Sequence, residues 1–211
     1  MDSLSIDSTA GRDEIAEADQ RAAKRYTSLI RAAKLVSAHG EFVCVIRDVS
    51  STGISLRMFH DVPGDEVMDL ELQNGDRYEL RKVRSNAREA SFTFADEVEV
   101  EGLISETWKY PKRQLRLNLV IPLSVTTLAG KCEAVTSNLS QQGASIECDA
   151  RLALDQTVRL QGKHMPEVRA KVRWRKDNCY GVVFDNTFTL REFGVLAAQF
   201  QCPSLVRSDE A

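Results

Sequence analysis

An eight-residue pattern occurs twice in this chain, and no other feature limits the fold as much. Asp48 to Ser55 reads DVSSTGIS and Asn138 to Ser145 reads NLSQQGAS, 90 positions apart. Both fit [DN]-x-S-x-x-G-apolar-S. Each follows a β-prone run, Phe42 to Ile46 and Glu133 to Thr136, and each precedes another, Ile54 to Met58 and Ala144 to Cys148. Each copy therefore reads as a polar corner between two strands. Asp or Asn followed by Ser suits side chains that bond to nearby backbone. Gly suits a positive φ or the close approach of another group. Chance puts [DN]-x-S-x-x-G into roughly one chain in ten of this size, and tight corners use these residue types anyway. Two copies with matching flanks, and Phe94 and Phe184 also 90 apart, mark a tandem repeat.

A length of 211 residues with a repeat of this period predicts two units, each able to bury a core of its own. The fold expected is mainly β: two tandem, small, antiparallel six-stranded barrels, with an N-terminal arm or helix and a C-terminal helix. Residues 1–11 read as a disordered polar tail, and 12–100 as the first barrel, opened by helix-prone residues up to Arg25. Asn74-Gly75-Asp76 is a hairpin signal between alternating runs. Residues 101–110 read as a connector whose Trp108 and Tyr110 pack the barrels together. Residues 111–202 read as the second barrel and its helix, and 203–211 as a tail. That helix opens with a capping box, Thr189 to Glu192, and carries an apolar face of Leu190, Phe193, Ala197 and Phe200. Closing the core of the second barrel is the role this face predicts; an exposed docking helix is the other reading. Trp174 reads as a half-buried barrel residue rather than a stacking platform.

Net charge is −3, which argues against a general polyanion-binding surface and against DNA or RNA as a partner. Any nucleotide must be held by a local cluster of Arg and Lys. Five cysteines with no C-x-x-C spacing, and three scattered histidines, suggest neither a disulfide framework nor a metal site. The first residues lack the pattern of a secretory signal, and no apolar run is long enough to span a membrane. A cytoplasmic protein is expected. Catalysis is not, because no nucleophile–base set or phosphate-cradling loop stands out.

Each signature has a basic pair upstream: Arg21-x-x-x-Arg25 in the first unit and Lys112-x-x-x-Arg116, with Arg113 between, in the second. A strand and a turn lie between pair and signature, so the two can face each other across one barrel mouth. Guanidinium offers paired donors to a phosphate or to the O6/N7 edge of guanine. Asp or Asn can pair with a guanine edge, and Ser adds a hydroxyl. That set suits a guanine nucleotide held without metal.

Arg-x-x-x-Arg followed by [DN]-x-S-x-x-G in a small barrel resembles the PilZ domain family, over about residues 20–100 and again over 110–200. The resemblance implies a non-enzymatic receptor for cyclic di-GMP, with no other cofactor and a protein partner downstream. In the first unit it implies Arg21 and Arg25 on phosphate and guanine, with Asp48, Ser50 and Gly53 around the base. In the second it implies Lys112 and Arg116, with Asn138, Ser140 and Gly143, and Arg113, one place short of the family spacing, is the substitute for Lys112. Lys112 stands where the family pattern has Arg; it keeps the charge without the planar fork. The alternative is a tandem barrel that docks on another protein and binds no nucleotide.

Overall fold

The computed structural model describes residues 26–104 and 114–207. The first unit runs β1 (Tyr26–Ser37), β2 (Gly40–Val49), β3 (Gly53–Met58), β4 (Val67–Glu71), β5 (Arg77–Ser85), β6 (Glu89–Phe94) and a short helix α1 (Val100–Ile104). Its six strands close in the order β1-β2-β3-β6-β5-β4, with β1 pairing back onto β4. The second runs β7 (Arg116–Leu117), β8 (Pro122–Thr127), β9 (Gly130–Ser140), β10 (Gly143–Glu147), β11 (Thr157–Gly162), β12 (Met165–Lys176), β13 (Cys179–Phe184) and α2 (Leu190–Gln201). Here β10-β13-β12-β11-β8-β9 closes through β9–β10, and β7 pairs with the far end of β9. Two antiparallel six-stranded barrels result, as the repeat predicts.

Alternation puts one face of each strand inside. In β4 the buried residues are Met68 and Leu70, and in β11 they are Val158 and Leu160. The hairpin at Asn74-Gly75 forms as read, with Gly75 at φ +96°. Where β1 is continuous, its counterpart is broken into β7 and β8. Thr136 bridges the break: its hydroxyl accepts from Ile121 N at 2.9 Å and donates to the Leu119 carbonyl.

The run Phe42 to Ile46 is buried at every position, whereas β9 alternates. A strand reads as continuously apolar when both of its faces are covered. Cys44 and Ile46 face the first core, while Val43 belongs to the core of the second barrel. Helix α2 makes the difference, because it packs on β2 as well as closing its own barrel. Phe59 touches the second core, and a Cβ on Gly194 of the helix would lie 2.7 Å from the Phe59 ring. Gln201 binds the Glu41 backbone in both directions, accepting from N at 2.7 Å and donating to O at 2.5 Å. The helix starts as read: the Thr189 hydroxyl accepts from Glu192 N at 3.2 Å, and Thr189 N donates to the Glu192 carboxylate at 2.7 Å. Core closure of the second barrel holds as read, and α2 is in addition a joint between the barrels. The arm at 12–25, Trp108 and Tyr110 lie outside the described residues.

Candidate functional site

Each signature is a hairpin corner held by its own serine. Ser140 Oγ donates to the Gly143 carbonyl at 3.1 Å, and Ser50 Oγ donates to that of Gly53 at 3.3 Å. Both serines are buried. The glycines serve a close approach rather than a positive φ. A Cβ on Gly143 would lie 2.2 Å from the Val182 carbonyl oxygen, and one on Gly53 would lie 3.0 Å from that of Phe92. Because the obstacle at Gly143 is backbone, Gly143→Ala should destabilise the protein by about 2 kcal/mol, in the overpacking range. Gly102→Ala, where a Cβ meets open space, is the control that should cost nothing. Denaturant midpoints of the two variants check this.

Two bulges flank each corner. In the second barrel the extra residues are Ser137 on β9 and Arg173 on β12; in the first they are Arg47 and Val83. A bulge turns the side chains beside it. The result is a row across four strands. Asn138 pairs with Ser145, Ser145 with Gly181, and Gly181 with Trp174. The equivalent row in the first barrel is Asp48, Ser55, Ser91 and Arg84.

The two rows border different cavities. Over the second lies a cleft of about 1030 Å³ lined by Arg116, Asn138, Ser140, Gly143, Ser145, Trp174 and Gly181. Four of the sequence-derived site residues thus meet in one place: Arg116 from β7 and Asn138, Ser140 and Gly143 from the corner. Arg116 reaches it because β7 pairs Arg116 with Ser140. Lys112 and Arg113 lie outside the described residues, two places and one place before the lining residue Gln114. Over the first row the cavity is only about 420 Å³, lined by Asp48, Ser55, Arg84 and Ser91 among others. Arg84 Nε donates to Ser91 Oγ at 3.4 Å, and the Ser55 and Ser91 hydroxyls are 3.4 Å apart. Neither Ser50 nor Gly53 lines it, and Arg21 and Arg25 lie outside the described residues.

Three contributors to the cleft escape the motif. Trp174 is 44% exposed and leans over Gly181, where a Cβ would stand 1.9 Å from the indole nitrogen. Its ring is a wall of the cleft, not only a barrel residue. Gly181 is the second, completing the row with Ser145, the residue that closes the motif. The third contributor is the other barrel: Lys34, Glu71 and the turn Leu72 to Gly75 form the opposite side. The repeat itself carried a signal, since Arg84 and Trp174, and Ser91 and Gly181, are also 90 apart.

Charge divides between the barrels in a way the total conceals. Residues 26–104 carry nine Lys and Arg against fourteen Asp and Glu, a net −5. Residues 114–207 carry twelve against eight, a net +4. The half with the large cleft is the half whose field draws anions.

The second barrel thus combines a Ser-fixed [DN]-x-S-x-x-G corner with Arg116 paired beside it in one cleft. Residues 111–199 match the PilZ domain, and the second barrel is a member of that family. Similar solved structures include Borreliella burgdorferi PlzA in complex with c-di-GMP, at 10% identity over 90% of this chain and 99% of that one, TM-score 0.32. The Bacillus subtilis inhibitor of motility MotI/DgrA is 10% identical over 84% of this chain and 97% of its own, TM-score 0.36. The PilZ domain of CeSA from a cellulose-synthesizing bacterium is 19% identical over 41% of this chain and 94% of its own, TM-score 0.32. No curated protein matches the sequence. No helix among the described residues is long and apolar enough to cross a membrane.

Proposed function

We propose that this protein is a non-enzymatic cyclic di-GMP receptor whose ligand occupies the cleft of the second barrel. The observation that carries the reading is the meeting of Arg116, Asn138, Ser140 and Gly143 in that one cleft. Arg116 supplies a planar fork for a phosphate or a guanine edge, and Asn138 faces a guanine edge. Trp174 offers a ring face on which a base stacks. Gly181 keeps that ring low. Lys112 and Arg113, next to Gln114 in sequence, belong to the same assignment as further positive charge. The first barrel, with its small and internally bonded cavity, serves as a wall and a reporter: a ligand in the cleft touches residues of both barrels. A protein partner reads the altered contacts, and five free thiols fit a reducing, cytoplasmic setting.

Calorimetric titration of the full chain with cyclic di-GMP tests this. A saturable isotherm at micromolar ligand or below is expected, with a stoichiometry that counts ligands in the cleft. A flat isotherm would reject the receptor reading and leave the docking module.

A further inference from the structure

Arg116 reaches the cleft from a strand of two residues. β7 makes two cross-strand pairs with β9, Arg116 with Ser140 and Leu117 with Leu139. So short a pairing is not stable by itself in water. Leu115, Leu117 and Leu119 bury alternate side chains and fix its inner side. Its outer side is held from the first barrel. One oxygen of the Glu41 carboxylate accepts the Asn118 backbone N–H at 2.7 Å, and the other accepts Asn118 Nδ2 at 2.8 Å. Bonds to an ionised acceptor are the stronger kind, and two at once fix direction as well as distance.

Glu41 is itself fixed on two sides. Lys34 Nζ lies 3.2 Å from its Oε2, and Gln201 of α2 grips its backbone. The Glu41 side chain is not part of the cleft wall, whereas Arg116 and Asn118 are. We infer that Glu41 is a positioning residue of the ligand site: through Asn118 it fixes β7, and with it the Arg116 guanidinium, so that the affinity of the second barrel depends on the first. The identity of the ligand rests on the receptor reading above; the clamp rests on these hydrogen bonds alone. Coupling of this kind is reciprocal. A ligand that holds Arg116 also tightens the Asn118–Glu41 contact, which gives the first barrel a direct line to the cleft.

Amide hydrogen exchange and calorimetry on the full-length protein test the two halves of the inference separately. In unliganded Glu41→Ala, the amides of Leu117 to Leu119 should exchange at least about tenfold faster, with β11 and β12 protected as before. The same variant should bind cyclic di-GMP about five- to tenfold more weakly, the loss expected for one interaction of about 1–1.4 kcal/mol. Glu41→Gln, which keeps the volume and one acceptor, should fall between it and the wild type in both measurements, and it decides the matter if Glu41→Ala does not fold. Unchanged exchange at 117–119 overturns the clamp. So does a loss of protection spread over both barrels, which would make Glu41 a residue of the fold rather than of the site. Faster exchange with unchanged affinity overturns the positioning of Arg116. A wild-type protein that binds no cyclic di-GMP refutes the ligand assignment instead, and the exchange data then still judge the clamp.

Discussion

Arg116→Ala should weaken cyclic di-GMP binding by about ten- to a hundredfold, the range for losing a charged hydrogen-bonding partner worth about 1.5–3 kcal/mol. The side chain is exposed and its strand is anchored by Leu115 and Leu117, so the melting temperature should scarcely move. Asp48→Ala in the first barrel is the matched comparison. Its row borders a cavity of about 420 Å³ against about 1030 Å³ in the second barrel, so it should leave the affinity within about twofold. Titration of both variants beside the wild type reads the contrast. Equal losses from the two would move the ligand out of the second barrel's cleft. No loss from either would leave the cleft without a role in binding.

That contrast was only half legible in the sequence. The repeat gives two barrels, and the period of 90 places both corners and the strands of Phe94 and Phe184. What the motif does not show is the far side of the row. On the Asp-x-Ser-x-x-Gly pattern alone the first unit looks the better site, because Asp48 follows a full Arg-x-x-x-Arg. The structure sets the two cavities apart through residues outside the motif. Ser91 stands where Gly181 leaves room, and Arg84, bonded to Ser91, stands where Trp174 opens a wall. Bulges at Arg47, Val83, Ser137 and Arg173 decide which side chains enter the row, and a bulge has no residue signature of its own. The total charge misleads for a simpler reason: it adds a −5 half to a +4 half. The apolar run Phe42 to Ile46 reads in sequence only as a strand, and its second buried face emerges from the packing. Only the packed structure tells that a helix from the other barrel covers it, because helix α2 looks complete with its own core to close.

The ion pairs that join cleft wall and barrel joint also make the second strong prediction. Lys34 is 5% exposed and lies between two carboxylates, 3.2 Å from Glu41 and 3.1 Å from Glu71. Lys34→Met keeps most of the volume and removes the charge, leaving two acids beside each other with fewer partners. Breaking a buried pair from one side costs about 3–5 kcal/mol. Here Glu71 keeps Arg77 and Glu41 keeps Asn118, so the lower end, about 3 kcal/mol, is expected. For a chain of this size that lowers the melting temperature by roughly 6–12 °C. The sign of the pH dependence separates charge from packing. Burial alone would raise the Glu71 carboxyl, but the Lys34 ammonium, with Arg77 adding, outweighs it and holds the pKa below the ordinary value. A carboxyl depressed in the folded state contributes stability that is full above its unfolded pKa, near about 4.3, and is lost as pH falls through the lower folded value. The wild type should therefore lose stability on acidification through that window, and Lys34→Met should lose less, since without the ammonium the Glu71 carboxyl is no longer held down. The deficit of the variant should be largest near neutrality and shrink toward pH 4. A deficit that stays constant over that range would mean that the lysine stem, not its charge, supports this joint.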